Sequence, residues 1–377
     1  DACGVEENLG YERMRILFLS NLEYEGFAGP TYCVPALISA LSKSDEVVWY
    51  NMRPVEREEW RSLPFYRNSN DFAFGMKDFC RRFWRPDLVV FEGFYAFHPK
   101  PTLLRVLSSG VPYVIEPHCA LTAGDQGKKA LKKWVCNALF YRRFARGAAA
   151  IHYLTEKERN ESGMKWNQNS LIEPNGIDAP ETRPDRASWH DSVPEIVYIG
   201  RIEPYQKGLD VLLDALTLLV GRPDVPRFHL SIYGNSVNGS SESMEKRLEA
   251  EGLTGVVALR GPIYGNEKDL VLRSADFFIL TSRYEGMPMG LLEACAYGLP
   301  SIVTLGTNMA ETIRGEGAGW ICDLAPESVG DAILAAAHAA DCYANMASAA
   351  YRVAQKYTWP SIAESIRADY SKVIGAQ

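Results

Sequence analysis

Asp276-Phe-Phe-Ile-Leu280-Thr-Ser-Arg-Tyr-Glu285-Gly-Met-Pro288-Met-Gly-Leu-Leu-Glu293-Ala-Cys-Ala-Tyr-Gly298-Leu-Pro300 holds a strand, a turn, a helix and a stop in one run. Asp276–Leu280 is brief, apolar and bounded by turn residues, which predicts a short buried strand. Gly286 and Pro288 punctuate the turn, and proline suits the first position of a helix. Leu291, Leu292 and the alanines after them continue as helix until Gly298-Leu-Pro300 ends it. Glu285 therefore falls on the loop and Glu293 on the second helical turn. Between them the first backbone N–H groups of the helix, near Met289, Gly290 and Leu291, offer an anion cradle. One acid for a reacting centre, one for hydroxyls and a phosphate seat between them suit a nucleotide-sugar.

The same strand–helix alternation extends in both directions. Strands are predicted at 14–20, 46–50, 87–91, 113–117 and 148–154, and again at 195–199, 228–233, 256–259, 277–280, 300–304 and 319–322. Helices are predicted at 32–41, 326–338 and 359–373. Alternation of this kind requires crossover connections and hence parallel sheets. Pro174-Asn-Gly-Ile-Asp178 and the proline-rich, charged segment after it read as a boundary. The fold class is α/β, with two Rossmann-like doubly wound domains facing across a cleft. The domains are 14–180 completed by 358–377, and 181–357, behind a leader of 1–13. Ligands of such sheets bind beyond the carboxyl ends of the strands.

Several residues stand at those ends. Gly200-Arg201 closes a strand, and Lys207-Gly208 opens a helix whose leucines recur at 209, 212, 213 and 216. The planar fork of Arg201 can grip a diphosphate and Lys207 can add a point charge; surface basic residues at a helix start would look the same. His118 follows a strand in Glu116-Pro-His-Cys-Ala120. It can hydrogen-bond a sugar hydroxyl or orient an acceptor, or it can serve the fold. The other five histidines have weaker placement. Gly26 and Gly29 lie on the first strand–helix loop, spaced unlike a dinucleotide fingerprint, and can admit a phosphate or acceptor or simply make a turn. No P-loop and no Asp-x-Asp occurs, and with Arg201 and Lys207 supplying charge no metal or other cofactor is expected.

Composition sets limits. The chain of 377 residues carries a formal charge of −7, which argues against a general nucleic-acid binder. Its eight cysteines are scattered without a C-x-x-C spacing, which fits a reducing cytosol. No signal peptide or membrane-spanning run is read. Residues 127–146 form a basic amphipathic stretch in which Leu131, Trp134, Val135, Ala138 and Leu139 share a face beside Lys128, Lys129, Lys132 and Lys133. Such a helix can lie on an anionic membrane or receive a lipid-linked anion. It can equally pack into a core and leave a solvated basic face.

Together these residues resemble the retaining nucleotide-sugar glycosyltransferases of family 4, which have the GT-B fold, over nearly the whole chain. The most specific part is Ser282-Arg-Tyr-Glu285-Gly-x-Pro-x-Gly-Leu-Leu-Glu293-Ala with Gly298-x-Pro300. Gly200-Arg201, Lys207-Gly208, Pro174–Asp178, His118 and Leu154-Thr-Glu156 support it, and Gly306-Thr-Asn-Met-Ala-Glu311 looks like bacterial surface-polysaccharide members. The resemblance implies that Arg201 and Lys207 hold the donor diphosphate and that Glu293 takes the ribose hydroxyls. Glu285 would contact the donor sugar with the backbone of Pro288, Met289 and Gly290, or act as a nucleophile. His118 would line the reaction centre, and the base would rest at Gly261–Tyr264, on Ile263 and Tyr264. At Gly26-Phe-Ala-Gly29 the chain departs from the adjacent glycines of many relatives. The implied reaction moves a sugar from a nucleoside diphosphate, uridine diphosphate favoured over guanosine diphosphate, to a saccharide or polyprenyl-diphosphate-linked acceptor. A cytoplasmic protein, peripheral on the inner membrane face, is the expected setting. Sugar-nucleotide epimerases share this architecture, and a non-catalytic sugar-nucleotide sensor is the third reading.

Overall fold

The computed structural model describes residues 13–22, 29–53, 57–68, 76–127, 129–188, 193–222 and 225–376. The expected leader, Gly26 and Lys128 lie outside them, apart from Arg13. The chain divides into two compact units, 1–176 with 362–377 and 177–361.

The first unit is built on seven strands: β1 (Arg15–Ser20), β2 (Glu46–Asn51), β3 (Tyr66–Asn68), β4 (Leu88–Glu92), β5 (Tyr113–Glu116), β6 (Ala150–Tyr153) and β7 (Ser170–Ile172). They pair in parallel in the order β3-β2-β1-β4-β5-β6-β7. Inner strands such as β4 and β5 are buried along their whole length, as parallel strands covered on both faces must be. The second unit has β8 (Glu195–Ile199), β9 (His229–Tyr233), β10 (Val257–Arg260), β11 (Phe277–Leu280), β12 (Ser301–Thr304) and β13 (Gly319–Cys322), ordered β10-β9-β8-β11-β12-β13. In each sheet the first strand sits inside and later strands are added on either side. The switch points therefore lie beyond β1 and β4, and beyond β8 and β11, where ligand sites of doubly wound sheets form.

Three expectations need correction. β3 and β7 were not predicted: each is three residues long at a sheet edge, too short to show a period. The helix Tyr343–Gln355 was also missed, because its buried face is mostly alanine (Ala347, Ala350 and Ala354 with Tyr343 and Val353). Gly29 is not a loop residue; it opens the helix Gly29–Leu41, with open space where a Cβ would be.

The segment after Pro174 is more than a spacer. Ile177 bridges Thr358, so the two passages of the chain at the unit boundary are paired. Arg186 is buried, and its guanidinium donates to the carbonyls of Leu272, Ala275 and Tyr297. It closes the end of the helix Gly265–Ser274 onto the start of β11. Truncating it leaves buried acceptors without donors, each costing about 1–3 kcal/mol. Arg186→Ala should lower stability by about 3 kcal/mol, read as a shift of the denaturant midpoint at unchanged slope.

Candidate functional site

The loop after β8 and the loop after β11 are sewn together by backbone. Gly208 adopts the left-handed conformation (φ +63°) between the short helix Pro204–Lys207 and the helix Leu209–Leu219. A Cβ on it would lie 1.9 Å from the carbonyl oxygen of Thr281. Thr281 Oγ1 donates to the carbonyls of Lys207 and Gly208, both at 3.1 Å. The Arg283 N–H donates to Gln206, and its guanidinium makes a two-pronged bridge to Asp210 at 2.7 and 2.8 Å while stacking on Tyr205. This close seam brings Lys207 Nζ to 2.6 Å from Glu285 Oε1. Ser282 Oγ donates to the same oxygen at 2.5 Å. Both charged side chains are largely withdrawn from solvent, 12% and 7% exposed.

A third loop, after β12, holds Glu285 from behind. Gly306 accepts the Glu285 N–H at 2.9 Å, and Asn308 Nδ2 donates to the Glu285 carbonyl at 2.7 Å. A Cβ at Gly306 would stand 2.4 Å from the Ser282 carbonyl oxygen. Gly290 plays a similar part at the start of the helix Met289–Ala296: its Cβ would meet the Ile199 carbonyl oxygen at 2.6 Å, so the helix end packs on the end of β8.

Other expected residues are placed nearby with different partners. Glu293 pairs with Lys268 at 2.5 Å. Arg201, 57% exposed, faces Glu203 and Gln206 on its own loop, each at 3.2 Å. Ile263 is buried, and the Tyr264 hydroxyl accepts from Asn235 Nδ2 at 2.8 Å. The anion cradle is narrower than expected, because the Met289 N–H turns back to Met287 and the Leu291 N–H to Pro288. Pro288 caps the helix instead of opening it. Ser282, Asn308, Lys268 and the Arg283–Asp210 bridge were not anticipated; the signal for Arg283 was its place inside the motif itself.

In the first unit, His118 stands just past β5 with φ +48°, and Cys119 follows with φ +66°. His118 Nε2 lies 3.0 Å from Glu92 Oε2, and Nδ1 lies 3.4 Å from Glu116 Oε1. Glu158 accepts the Cys119 N–H at 2.6 Å and the Leu154 N–H at 2.9 Å. Burial pushes the Glu92 and Glu116 carboxyls well above their ordinary range and holds His152 below its own. Glu92, Glu116 and His118 also lie close enough to hold a cation.

Residues 193–338 match the family described as Glycosyl transferases group 1, and residues 40–165 match the Glycosyl transferase 4-like domain. The chain belongs to the group 1, family-4-type glycosyltransferases. Mannosylfructose-phosphate synthase of Agrobacterium fabrum is 27% identical to this glycosyltransferase over 179 residues, 46% of this chain and 39% of that protein. The putative colanic acid biosynthesis glycosyltransferase WcaL of Escherichia coli is 27% identical over 152 residues, 39% of this chain and 36% of that protein. The chain thus spans about two fifths of the length of the curated relatives it matches. Among solved structures, sucrose-phosphate synthase from Thermosynechococcus elongatus superposes with a TM-score of 0.68 at 15% identity, over 97% of this chain and 100% of that one. Anabaena Alr3699/HepE, solved with UDP and glucose, gives 0.64 at 16% identity, over 96% and 100%. These neighbours establish the GT-B fold.

The seam yields a direct test. Gly208→Ala must adopt a left-handed backbone and push Thr281 away, costing together about 3 kcal/mol. Chemical denaturation should show that loss, and the nucleotide affinity of the folded fraction should fall with it.

Proposed function

We propose that this glycosyltransferase moves a sugar from a nucleoside diphosphate, uridine diphosphate favoured, to a hydroxyl of a saccharide or polyprenyl-diphosphate-linked acceptor. The anomeric configuration is retained, and the product is a bacterial polysaccharide. The observation that carries this reading is the buried Lys207–Glu285 pair at the switch point of the second sheet. A buried ion pair is costly to desolvate and is weak evidence of a purely stabilising role. A diphosphate arriving beside Lys207 offers a second anionic partner, which frees the Glu285 carboxylate for the donor sugar's hydroxyls.

Each remaining group then has a task. Arg201 is exposed and tied only to its own loop, so it can turn its fork onto the phosphates. Lys207 and Arg201 neutralise the charge that develops on the leaving diphosphate, without a resident metal. Glu293, oriented by Lys268, accepts from the ribose hydroxyls, and the base rests against Ile263 and Tyr264. The bond from the anomeric carbon to the phosphate oxygen breaks while the acceptor oxygen bonds to the same face. The acceptor's proton passes to the departing phosphate oxygen, so no separate protein base is needed. His118 hydrogen-bonds a sugar hydroxyl. The curated relatives, a sugar-phosphate synthase and a colanic acid glycosyltransferase by name, support a glycan-building role.

The basic stretch supports an acceptor at a membrane. It is helical at Ala130–Cys136, widens to a π turn at Asn137–Tyr141 and resumes at Arg142–Arg146. The extra residue in the π turn lets Asn137, Tyr141 and Phe144 face the core. Leu131 and Leu139 are nearly 80% exposed and Trp134 64%. An exposed apolar ridge flanked by lysines and arginines suits an anionic lipid surface. No helix among the described residues is long and apolar enough to cross a membrane.

Glu285→Gln should abolish transfer while sparing donor binding, measured by product formation and calorimetry; full turnover would reject its assigned part. Donor incubated alone should keep its sugar configuration by NMR, whereas an epimer would signal the other enzyme class. Trp134→Ser with Leu139→Ser should weaken cosedimentation with phosphatidylglycerol vesicles several-fold, and equal binding would remove the membrane from the account.

A further inference from the structure

The parallel register sets a row of chemistry-bearing residues across the first sheet. Glu92 on β4 stands opposite Glu116 on β5. One step beyond the Ile115–Ile151 pair, Glu116 faces His152 on β6. All three are at most 2% exposed. They serve neither the diphosphate seat nor the apolar core. Their common neighbour is His118, whose side chain alone in the group reaches solvent, at 15% exposure.

The backbone beneath His118 is strained and gripped. His118 and Cys119 are consecutive non-glycine residues at positive φ, a conformation that persists only where surroundings hold it, and that gathers at functional sites. Here Glu158 Oε1 holds the Cys119 N–H at 2.6 Å and Glu92 Oε2 holds the ring at 3.0 Å. Three buried glutamates from separate elements therefore converge on one dipeptide.

The proton positions follow from the partners. His152 Nε2 is 2.9 Å from the Glu173 carbonyl, which can only accept, so the proton of neutral His152 sits on Nε2. Its Nδ1 then presents a lone pair to Glu116 Oε2 at 3.3 Å. Neither atom has another hydrogen-bond partner. One proton on Glu116 Oε2 satisfies both, in keeping with the upward push of burial on that carboxyl. Glu116 is thus the neutral acid of the pair. Glu92 makes the one hydrogen bond to the His118 ring, through Nε2. Glu158 also faces this cluster and its charge adds to the upward push on Glu116, while the buried Tyr370 hydroxyl of the C-terminal helix feels both carboxyls.

We propose that Glu92 is the positioning residue of His118: it accepts the Nε2 proton and so fixes the tautomer and the orientation in which the ring is presented to the sugar. The hydrogen bond made by one ring nitrogen sets the protonation of the other. Glu116 stays a carboxylic acid shared with His152 and adds no second charge beside the ring. The inference rests on the reading that His118 touches the sugar. It assigns the two glutamates, at similar distances from one imidazole, different parts.

The test compares Glu92→Gln, Glu116→Gln and His118→Ala in sugar transfer, UDP affinity and thermal midpoint. Glu92→Gln keeps the shape but lets the amide present either end to the ring. Its kcat should fall about 10- to 100-fold, with UDP affinity unchanged and the midpoint held or raised. Glu116→Gln, which replaces a neutral acid by a neutral amide, should keep kcat within about threefold. A structural role for Glu92 would instead lower midpoint and rate together, and that result overturns the proposal. Equal losses in the two glutamine variants also overturn it. So does a stoichiometric divalent metal in the wild-type protein that Glu92→Gln releases. Should Glu92→Gln not fold, Glu92→Asp carries the test: drawn back by one methylene, it should lose kcat at unchanged UDP affinity, and wild-type kcat would refute the assignment. Full activity in His118→Ala would remove the underlying reading of His118. An inactive His118→Ala beside a fully active Glu92→Gln would reject the positioning alone.

Discussion

The closeness of Gly208 to Thr281 governs the second unit. With no Cβ at 208, the loops ending β8 and β11 meet backbone to backbone. Any side chain there would part them. That contact fixes where the Pro204–Lys207 helix ends, and therefore where the Lys207 ammonium lies. The other glycines at this edge, Gly290 and Gly306, repeat the device against Ile199 and Ser282. Three loops from β8, β11 and β12 thus form one rigid edge, and Glu285 is held within it through backbone N–H, backbone carbonyl and carboxylate. Preorganisation of this sort lets a fixed charge act on a ligand without reorganising first.

Both units concentrate expensive polar groups at the carboxyl ends of their strands. In the second, the expense is a nearly buried lysine–glutamate pair. In the first, it is two buried carboxyls and two imidazoles on neighbouring strands. Neither cluster is what a sequence selected for stability alone would retain, because apolar residues of similar volume commonly serve as well or better. The sheets supply the rigidity that makes such clusters tolerable. Their inner strands are apolar on both faces, and the aromatic packing of Phe91, Phe94, Tyr113 and Phe144 backs the strand ends that carry Glu92 and Glu116.

Much of this was legible in the sequence because the signals were local. A strand, turn and helix within one short run place Glu285 and Glu293 without any tertiary knowledge, and repeating the pattern gives the doubly wound sheets. Pairings between distant segments were not legible. Lys207 and Glu285 are each expected at the site from their local sequence, yet their contact spans 78 positions and depends on strand order. Arg201 is expected at the phosphates from its place after a strand; its contacts to Glu203 and Gln206 are set by the tight turn that follows and carry no signal in the sequence. The apolar pattern predicts a strand ending at Phe91, one residue short of Glu92, which closes β4. An acid ending an apolar strand, with another ending the next strand, is a signal that could have found it. The apolar face at 131–139 could be read as core or as surface, and only the packing of its opposite side decided between them.

Calorimetric titration of uridine diphosphate into the wild-type protein and Lys207→Met, with uridine as the control ligand, tests the central claim most directly. The account predicts that the diphosphate binds the variant at least about tenfold more weakly, a loss of about 1.4 kcal/mol or more, while uridine affinity is unchanged. Equal affinity of both proteins for the diphosphate would contradict it.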